Sequence, residues 1–336
     1  MDTRLEQLTL WLKSELRSQH FELSVASADA SFRRYFRIKL SGSSLIAMDA
    51  PPDKENSEPF VRISMMLSRL AVHSPKIYAQ NLDLGFILLE DLGSTDYLDV
   101  LGDTKRADQL YSDAIDALIK IQSGADSSET INRSNQVNID DYSKTKLEQE
   151  MELFNEWFLE RHLSQKMTSE QEVTWRNTKH FLCRICAEQP QVWVHRDFHS
   201  RNLMVTSDNN PGVIDFQDLV RGPISYDLAS IFKDCYIEWP RAQQLEWLEL
   251  YHQRLSNPSF SLDQLVKWYD LTGLQRHLKV LGIFCRLNYR DSKPGYLDDL
   301  PLVAKYVVEV LDLYADSYDE LQAFKGHLSS TIRTAL

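Results

Sequence analysis

The chain has 336 residues, of which 43% are hydrophobic, and a formal net charge of −12. This length allows about two ordinary domains with real cores. The acidic balance and the lack of a Lys/Arg run exclude a nucleic-acid surface and favour a small-molecule partner. No apolar run reaches the roughly 18 residues of a membrane span. We therefore expect no membrane association.

The N-terminus predicts an amphipathic helix that is neither signal peptide nor anchor, with Leu5, Leu8 and Leu12 on one face. Four cysteines are too few for a disulfide framework, so a reducing cytoplasm is the expected compartment. Cys183 and Cys186 form a C-x-x-C inside a helical pattern without a second Cys or His pair nearby. Helix packing is therefore favoured over zinc or redox chemistry.

In the first third of the chain, apolar and polar residues alternate over short segments, which predicts a small sheet accompanied by helices. Strands are predicted at 21–25, 35–40, 44–48, 76–78 and 86–90, with a helix at 58–70. Gly93 then marks the end of the sheet. Beyond it, the polar residues 122–141 predict a long connection, and helices are predicted at 142–162, 169–189, 226–235, 241–255, 262–288 and 301–336.

These elements predict an α+β, bilobal architecture. Residues 1–93 would form a small, sheet-rich N-terminal lobe that ends in a hinge, and residues 94–336 a large helical C-terminal lobe. A nucleotide would bind in the cleft between the lobes, with the hinge facing the adenine.

The stretch from Val192 to Asp215 carries the chemistry. A short strand at 192–194 leads into His195-Arg196-Asp197, and Asn202 begins a second strand. The residues from Thr206 to Gly212 are a strong turn signal, and a third strand delivers Asp215. Such a hairpin would carry Asn202 and Asp215 close to Asp197.

Three polar side chains in this order are typical of phosphoryl transfer. Asp197 would be the catalytic base that orients a substrate hydroxyl, and Asn202 and Asp215 would bind Mg²⁺ through oxygen ligands. His195 is predicted to support the loop, although a second base is the alternative. Asp218 could support the metal site or cap the next turn. Arg201 could lie near the transferred phosphate or face solvent.

Over nearly its whole length, the chain resembles the aminoglycoside phosphotransferase and choline kinase superfamily, which shares its fold with protein kinases. Four segments resemble bacterial anomeric kinases of N-acetylmuramate and N-acetylglucosamine more narrowly: Ser27–Arg37, Met48–Pro52, Phe154–Phe158 and Gly295–Pro301. The resemblance implies that ATP phosphorylates the C1 hydroxyl of a free amino sugar. A uridylyltransferase would then convert the sugar 1-phosphate towards UDP-sugars in peptidoglycan recycling. It also implies that Asp227 steadies the catalytic loop.

The nucleotide-binding candidates are Ser31, Arg33, Arg34, Glu90 and Leu92. The first three lie where a phosphate-covering turn belongs, although a plain polar hairpin turn is the alternative. Members of the superfamily generally carry a phosphate-binding lysine on the third strand, whereas this chain has Met48. Arg33, Arg34 or Arg37 could replace that cation, and Glu55 or Glu58 could hold the arginine.

For the sugar, Glu150 is a hydroxyl-binding candidate, and Arg276 and Arg290 are candidates for the lactyl carboxylate of N-acetylmuramate. Two other functions stay open at this point. One is a kinase of another small hydroxyl acceptor, such as an aminoglycoside or a choline-like amino alcohol. The other is a non-catalytic nucleotide-binding module.

Overall fold

The structure is a computed structural model, and it describes residues 2–28, 32–102, 104–125 and 139–335. The chain forms two compact units. The first comprises Met1–Asp96 together with Leu203–Asp218, and the second comprises Tyr97–Asn202 together with Leu219–Leu336. The sequence suggested a boundary at Gly93, and it gave no sign that Leu203–Asp218 would pack with the first unit.

The helices and strands follow in chain order. Up to residue 100 they are α1 (Thr3–Glu15), β1 (Glu22–Ala28), β2 (Arg34–Leu40), β3 (Ser43–Asp49), α2 (Glu58–Arg69), β4 (Ile77–Asn81) and β5 (Phe86–Glu90). The middle of the chain contains α3 (Thr104–Ser123), α4 (Lys144–Leu153), α5 (Ser169–Ala187), β6 (Gln191–Val194), β7 (Leu203–Met204), β8 (Gly212–Val213) and β9 (Val220–Pro223). The remainder contains α6 (Tyr226–Phe232), α7 (Arg241–Arg254), α8 (Leu262–Tyr289), α9 (Leu300–Tyr314) and α10 (Asp319–Arg333).

The first unit is built on a five-stranded antiparallel sheet of order β1-β2-β3-β5-β4. Helix α1 begins at Asp2, whose side chain accepts the backbone N–H of Leu5 at 3.1 Å. Its buried Leu8, Trp11 and Leu12 form one core cluster with residues at every second position of the strands, among them Phe36 and Ala47. The other buried residues of that cluster are Ile38, Phe86 and Leu88. The α+β class predicted from the sequence is confirmed.

Ion pairs bind α1 to the C-terminal end of β3. Asp49 is fully buried and accepts from the guanidinium groups of Arg4 on α1 and Arg34 on β2. Arg34 also pairs with Asp2, at the start of α1. Since one buried carboxylate is shared by two arginines, its charge is compensated, as a buried charge requires.

The second unit is helical around α8, whose central residues are almost all buried. Helix α8 packs against α4 where Gly282 meets Leu153, because a Cβ atom added to Gly282 would lie 2.2 Å from the Leu153 carbonyl carbon. A two-stranded antiparallel ladder of β6 and β9 also belongs to this unit.

Several helices differ from the sequence prediction. The helix predicted at 142–162 is α4 followed by a π-helical segment, Phe154–His162. The helix predicted at 301–336 is interrupted after α9, because Tyr318 adopts an extended conformation (φ −142°, ψ 121°) and α10 starts anew. The predicted connection at 122–141 overlaps the end of α3, and its residues 126–138 lie outside the described part of the chain.

All four cysteines are unpaired by disulfides and buried. Burial raises the pKa of the Cys183 and Cys186 thiols on α5 to about 12. Both therefore stay protonated at neutral pH, and the prediction that this C-x-x-C serves helix packing is confirmed.

In the described ranges, no helix has the combination of length and apolarity that a membrane crossing requires.

Candidate active site

The candidate catalytic loop leaves β6, as the sequence predicted. Strand β6 pairs with β9 through Val192↔Gly222 and Val194↔Val220, and the loop starts at His195 directly after the last pair. It ends in a short 3₁₀ helix, Ser200–Asn202. One ladder in the second unit thus fixes where Asp197 stands.

Asp227, on the first turn of α6, holds the start of this loop. Its carboxylate accepts the backbone N–H of His195 at 2.7 Å and that of Arg196 at 3.0 Å. Asp227 and His195 are both fully buried. Burial raises the pKa of Asp227 to about 6, against the opposing influence of His195 and the two N–H donors.

Arg196 adopts a left-handed backbone conformation (φ 77°), which is uncommon for an arginine. Its guanidinium pairs with Glu150 on α4 and lies over the ring of Tyr142, with its Cζ 5.5 Å from the ring centroid. Lys279 on α8 pairs with the other Glu150 oxygen at 3.2 Å. Arg196 is therefore held against α4 by a partly buried carboxylate.

Asp197 is partly buried among positive charges. Burial raises its pKa, but the charges of Lys279, His199, Arg276 and Arg196 outweigh burial and hold the pKa below its ordinary value. Asp197 is thus an anion at neutral pH, as a group that accepts a hydrogen bond from a substrate hydroxyl must be.

Asn202 turns back onto the catalytic loop. Its side-chain amide donates to the backbone carbonyl of Asp197 at 2.9 Å, and its backbone N–H donates to the carbonyl of His199 at 2.9 Å. With the amide nitrogen used in this way, the amide oxygen is the end of Asn202 that suits a metal ligand.

Asp234 is a second anchor of the loop, and the sequence analysis missed it. This buried carboxylate accepts the backbone N–H of Ser200 at 2.8 Å and that of Tyr236 at 3.0 Å. Tyr236 in turn contacts the ring of His199 edge-on at 5.4 Å and the guanidinium of Arg201. No local pattern marks Asp234, because its role depends on where α6 ends in space.

The hairpin that carries Asp215 is confirmed within the first unit. Strand β7 pairs with β8 through Leu203↔Val213, and Asp215 follows β8 by two residues. Asp215 adopts a left-handed conformation (φ 62°) and accepts a hydrogen bond from Gln217 at 2.8 Å. Its neighbour Phe216 stacks on Phe60 of α2 with ring centroids 4.8 Å apart. Asp218 is exposed.

Among the nucleotide-binding candidates, Ser31 lies outside the described residues. Arg33 is 9% exposed and pairs with Glu55 at 3.1 Å, while the other Glu55 oxygen accepts the backbone N–H of Phe32 at 3.2 Å. Arg34 instead points to the face of the sheet that α1 covers, where it pairs with Asp49. Met48 is completely buried in β3.

The predicted hinge residues lie at the end of β5. Glu90 accepts the backbone N–H of Lys76 at 3.2 Å, and Leu92 is partly buried. Gly93 adopts φ 93°, a conformation that favours glycine, and its carbonyl accepts from Arg37 at 2.7 Å. Arg37 also pairs with Asp91, so this arginine is committed to the segment that follows β5.

The three sugar-binding candidates occupy different surroundings in the second unit. Glu150 is partly buried beside Arg196 and Lys279, and Arg276 is 3% exposed with its guanidinium 3.3 Å from the Cys235 sulfur. Arg290 is on the surface at the end of α8, paired with its neighbour Asp291. Glu150 and Arg276 belong to the surroundings of Asp197, whereas nothing in the structure connects Arg290 to the loop.

An ionised aspartate in a loop, followed five residues later by an asparagine, is the order of side chains found in phosphotransferases of the kinase-like class. The family model described as "Phosphotransferase enzyme family" matches residues 22–265. The chain belongs to this phosphotransferase family.

Two relatives are similar over most of their length. The N-acetylmuramate/N-acetylglucosamine kinase of Pseudomonas putida KT2440 is 42% identical over 324 residues, which cover 92% of each chain. The N-acetylmuramate/N-acetylglucosamine kinase of Neisseria meningitidis serogroup B is 37% identical over 319 residues, again 92% of each chain.

Solved structures share the fold at low sequence identity. The choline kinase LicA of Streptococcus pneumoniae is 12% identical with a TM-score of 0.61, covering 92% of this chain and 100% of that one. The GDP complex of aminoglycoside 2'-phosphotransferase-IIIa is 13% identical with a TM-score of 0.62, covering 91% and 99%. The predicted kinase-like fold is confirmed.

Proposed function

We propose that this protein is an ATP-dependent kinase that phosphorylates the anomeric C1 hydroxyl of N-acetylmuramate and N-acetylglucosamine. The observation that carries the proposal is the loop around an ionised Asp197, whose backbone is held on either side of that residue by two buried carboxylates, Asp227 and Asp234. The two relatives with 37% and 42% identity support the acceptor, because their names give these two amino sugars.

Asp197 is the group that orients the attacking hydroxyl. The surrounding cations keep it ionised, so it can accept a hydrogen bond from the C1 hydroxyl and take its proton as the bond to phosphorus forms. A carboxylate with a lowered pKa is a weak base. An anomeric hydroxyl is more acidic than an ordinary alcohol, which suits such a base, and positioning of the hydroxyl contributes more than basicity.

Asn202 and Asp215 are the proposed holders of Mg²⁺. In the described ranges, no group of three or more His, Cys, Asp or Glu side chains is arranged to hold a metal ion. Magnesium commonly uses one or two carboxylates and completes its shell with phosphate oxygens and water, so an amide oxygen and a carboxylate fit this ion. When bound, the ion would neutralise charge on the phosphates of the nucleotide.

Arg33 is the proposed replacement for the lysine that the third strand lacks. Successive strand residues face opposite sides of a sheet. Arg34 faces the side covered by α1, and so its strand neighbour Tyr35 and the register partner Met48 face the other side. Arg33 immediately precedes β2, and Glu55 fixes its guanidinium. We leave Arg34 out of the proposal because Asp2 and Asp49 hold it.

Further residues contact the nucleotide and the sugar. Main-chain groups of Glu90 and Leu92 in the hinge bind the adenine, and Ser31 contributes to the phosphate-covering turn. Glu150 and Arg276 border the sugar, since Arg276 acts directly on the charge of Asp197 and Glu150 acts through Lys279. Arg290 is left out because it pairs with Asp291 at the surface. His195 and Asp218 support the loop and the metal site.

The product has one evident chemical use. A sugar 1-phosphate is the substrate type that a uridylyltransferase converts into a UDP-sugar, so the reaction returns wall-derived amino sugars to cell-wall synthesis. Because ATP and nucleotide sugars are cytoplasmic metabolites, we place the reaction in the cytoplasm.

The test is a coupled ADP-release assay with ATP, Mg²⁺ and a panel that contains both amino sugars, an aminoglycoside and choline. The proposal predicts turnover with the two amino sugars and none with the others. The Asp197→Asn variant should lose activity by about 10³-fold or more while it still binds ATP, since only the group that contacts the hydroxyl is changed. Turnover of choline or an aminoglycoside in place of both sugars would reject the acceptor.

A further inference from the structure

Arg201 is a cation of the catalytic loop that the mechanism above does not use. Its guanidinium lies over the ring of Tyr236, with Cζ only 3.7 Å from the ring centroid. Arg201 is exposed, and within the described ranges its guanidinium makes neither a hydrogen bond nor an ion pair. A guanidinium held flat on a ring keeps its N–H donors at the edge, where they can bind a carboxylate or phosphate through two parallel bonds.

The surface beneath Arg201 is rigid. Tyr236 is fixed through its backbone N–H by Asp234, and its ring packs on Phe284 of α8 with centroids 6.1 Å apart. Phe284 in turn contacts Tyr296 at 5.3 Å. The arginine is therefore oriented before any ligand arrives, which lowers the entropy that binding would cost.

The direction of Arg201 differs from that of the neighbouring Asn202. Both lie in the 3₁₀ helix, in which consecutive side chains diverge by roughly 120°. Asn202 faces the carbonyl of Asp197, whereas Arg201 faces Tyr236 and the segment around Asp299. Arg201 thus points away from the amide proposed to bind the metal, and this favours a ligand other than the nucleotide phosphates.

The charge of Arg201 acts on the Asp299 carboxylate, yet within the described ranges the two side chains form no salt bridge. Burial raises the pKa of Asp299 despite the opposing charge of Arg201. The guanidinium therefore lacks a close internal counter-ion in the described part of the chain, and an anionic ligand would supply one.

The two other cations considered for an acceptor carboxylate are less suitable. Arg276 is 3% exposed and directed at the sulfur of Cys235. Arg290 is already paired with Asp291 through both of its carboxylate oxygens, at 2.8 and 2.9 Å. Of these three arginines, only Arg201 is exposed to solvent, held in a fixed orientation and four residues from Asp197 in the chain.

We propose that Arg201, supported by Tyr236, binds the lactyl carboxylate of N-acetylmuramate and is the residue through which the enzyme recognises this sugar. The assignment rests on the proposed function. N-acetylmuramate differs from N-acetylglucosamine by this acid on the C3 oxygen, with a single ring carbon between C3 and the reacting C1. Recognition of the carboxylate by Arg201 therefore affects the binding of N-acetylmuramate and leaves the binding of N-acetylglucosamine unchanged.

The test compares steady-state constants for both sugars in the full-length chain and in Arg201→Gln, Arg201→Lys and Tyr236→Leu. Arg201→Gln should raise KM for N-acetylmuramate by about 10- to 100-fold, the range for a lost charge-assisted pair, and leave the constants for N-acetylglucosamine within about threefold. Arg201→Lys and Tyr236→Leu should give intermediate increases for N-acetylmuramate alone. Arg184→Gln, a solvent-exposed arginine of α5, is the matched control and should change neither sugar.

The carboxamide of N-acetylmuramate adds a second readout. The unchanged chain should bind this uncharged analogue more weakly than the acid, and Arg201→Gln should bind the two alike. An equal fall in kcat for both sugars would assign Arg201 to the transferred phosphate and overturn the proposal, as would constants that do not change. If the unchanged chain phosphorylates neither sugar, the proposed function fails and this assignment fails with it.

Discussion

The carboxylate of Asp227 accepts the backbone N–H of His195 at 2.7 Å, inside a fully buried site. Its second oxygen accepts the N–H of Arg196, whose φ of 77° is kept by this bond and by the pair with Glu150. Asp227, 31 positions further along the chain than Arg196, thus determines the conformation of the residue that precedes Asp197.

Asp227→Ala removes the acceptor for two buried N–H groups. Each unpaired group costs about 1–3 kcal/mol, so we expect the free energy of unfolding to fall by about 2–6 kcal/mol. Activity should fall mainly in kcat, because the loop loses its orientation while the residues proposed to border the sugar are unchanged. Urea unfolding and steady-state kinetics measure the two effects, and Ala at the exposed Asp218 provides the comparison for stability. An unfolding free energy equal to that of the unchanged chain would contradict this role.

The pH dependence of stability follows from the same carboxyl group. Burial raises the pKa of Asp227 from 3.8 to about 6, so the folded chain keeps a proton between these values that the unfolded chain releases. The stability that this group contributes is complete below pH about 4 and is lost as the pH rises through about 6, by about 3 kcal/mol. Unfolding of the chain and of Asp227→Asn should be compared from pH 4 to pH 7. If the unchanged chain instead gained stability relative to Asp227→Asn as the pH rises, the N–H donors would lower the pKa of Asp227.

The Arg33–Glu55 pair should govern nucleotide affinity. Arg33→Gln is expected to raise the Kd for ATP by about 10- to 100-fold, since a charge-assisted contact to phosphate is lost, and to leave KM for the sugar unchanged. Glu55→Gln should have a smaller effect of the same kind, and the double variant should resemble Arg33→Gln because both act through one guanidinium. Arg176→Gln, at an exposed position of α5, is the control. If calorimetry finds an unchanged ATP affinity in Arg33→Gln, a cation other than Arg33 replaces the lysine that the third strand lacks.

Gly282 should be the position on α8 least tolerant of a methyl group. In Gly282→Ala the new Cβ would meet the Leu153 carbonyl at 2.2 Å, so α4 and α8 must separate, and we expect a loss of about 2 kcal/mol or more. Gly326→Ala on α10 is the matched control, because nothing lies within 4 Å of its Cβ and alanine favours a helix by up to about 1 kcal/mol. Thermal unfolding of both variants should show opposite shifts. A stabilised Gly282→Ala variant would contradict the close helix contact.

The sequence predicted those parts of the site that local patterns encode. The loop after β6 and the β7–β8 hairpin were recognisable because short apolar strands flank a polar tripeptide and a strong turn. Asp234 and the clamp of Glu150 on Arg196 could not be predicted, because they depend on how α4, α6 and α8 pack around the loop. Arg33 and Glu55 were recognised as charged candidates, but only the structure shows that Arg33 is paired with Glu55 while Arg34 pairs with Asp49.

The position of the transferred phosphate tests the central claim most directly. N-acetylglucosamine and N-acetylmuramate are each incubated with ATP, Mg²⁺ and the full-length chain, and the products are analysed by phosphorus NMR and by mild acid hydrolysis. The proposed mechanism predicts an acid-labile phosphate coupled to the anomeric proton, formed in equal amount to ADP and absent with Asp197→Asn. An acid-stable phosphate on another hydroxyl, or ADP formation without any sugar phosphate, would contradict it.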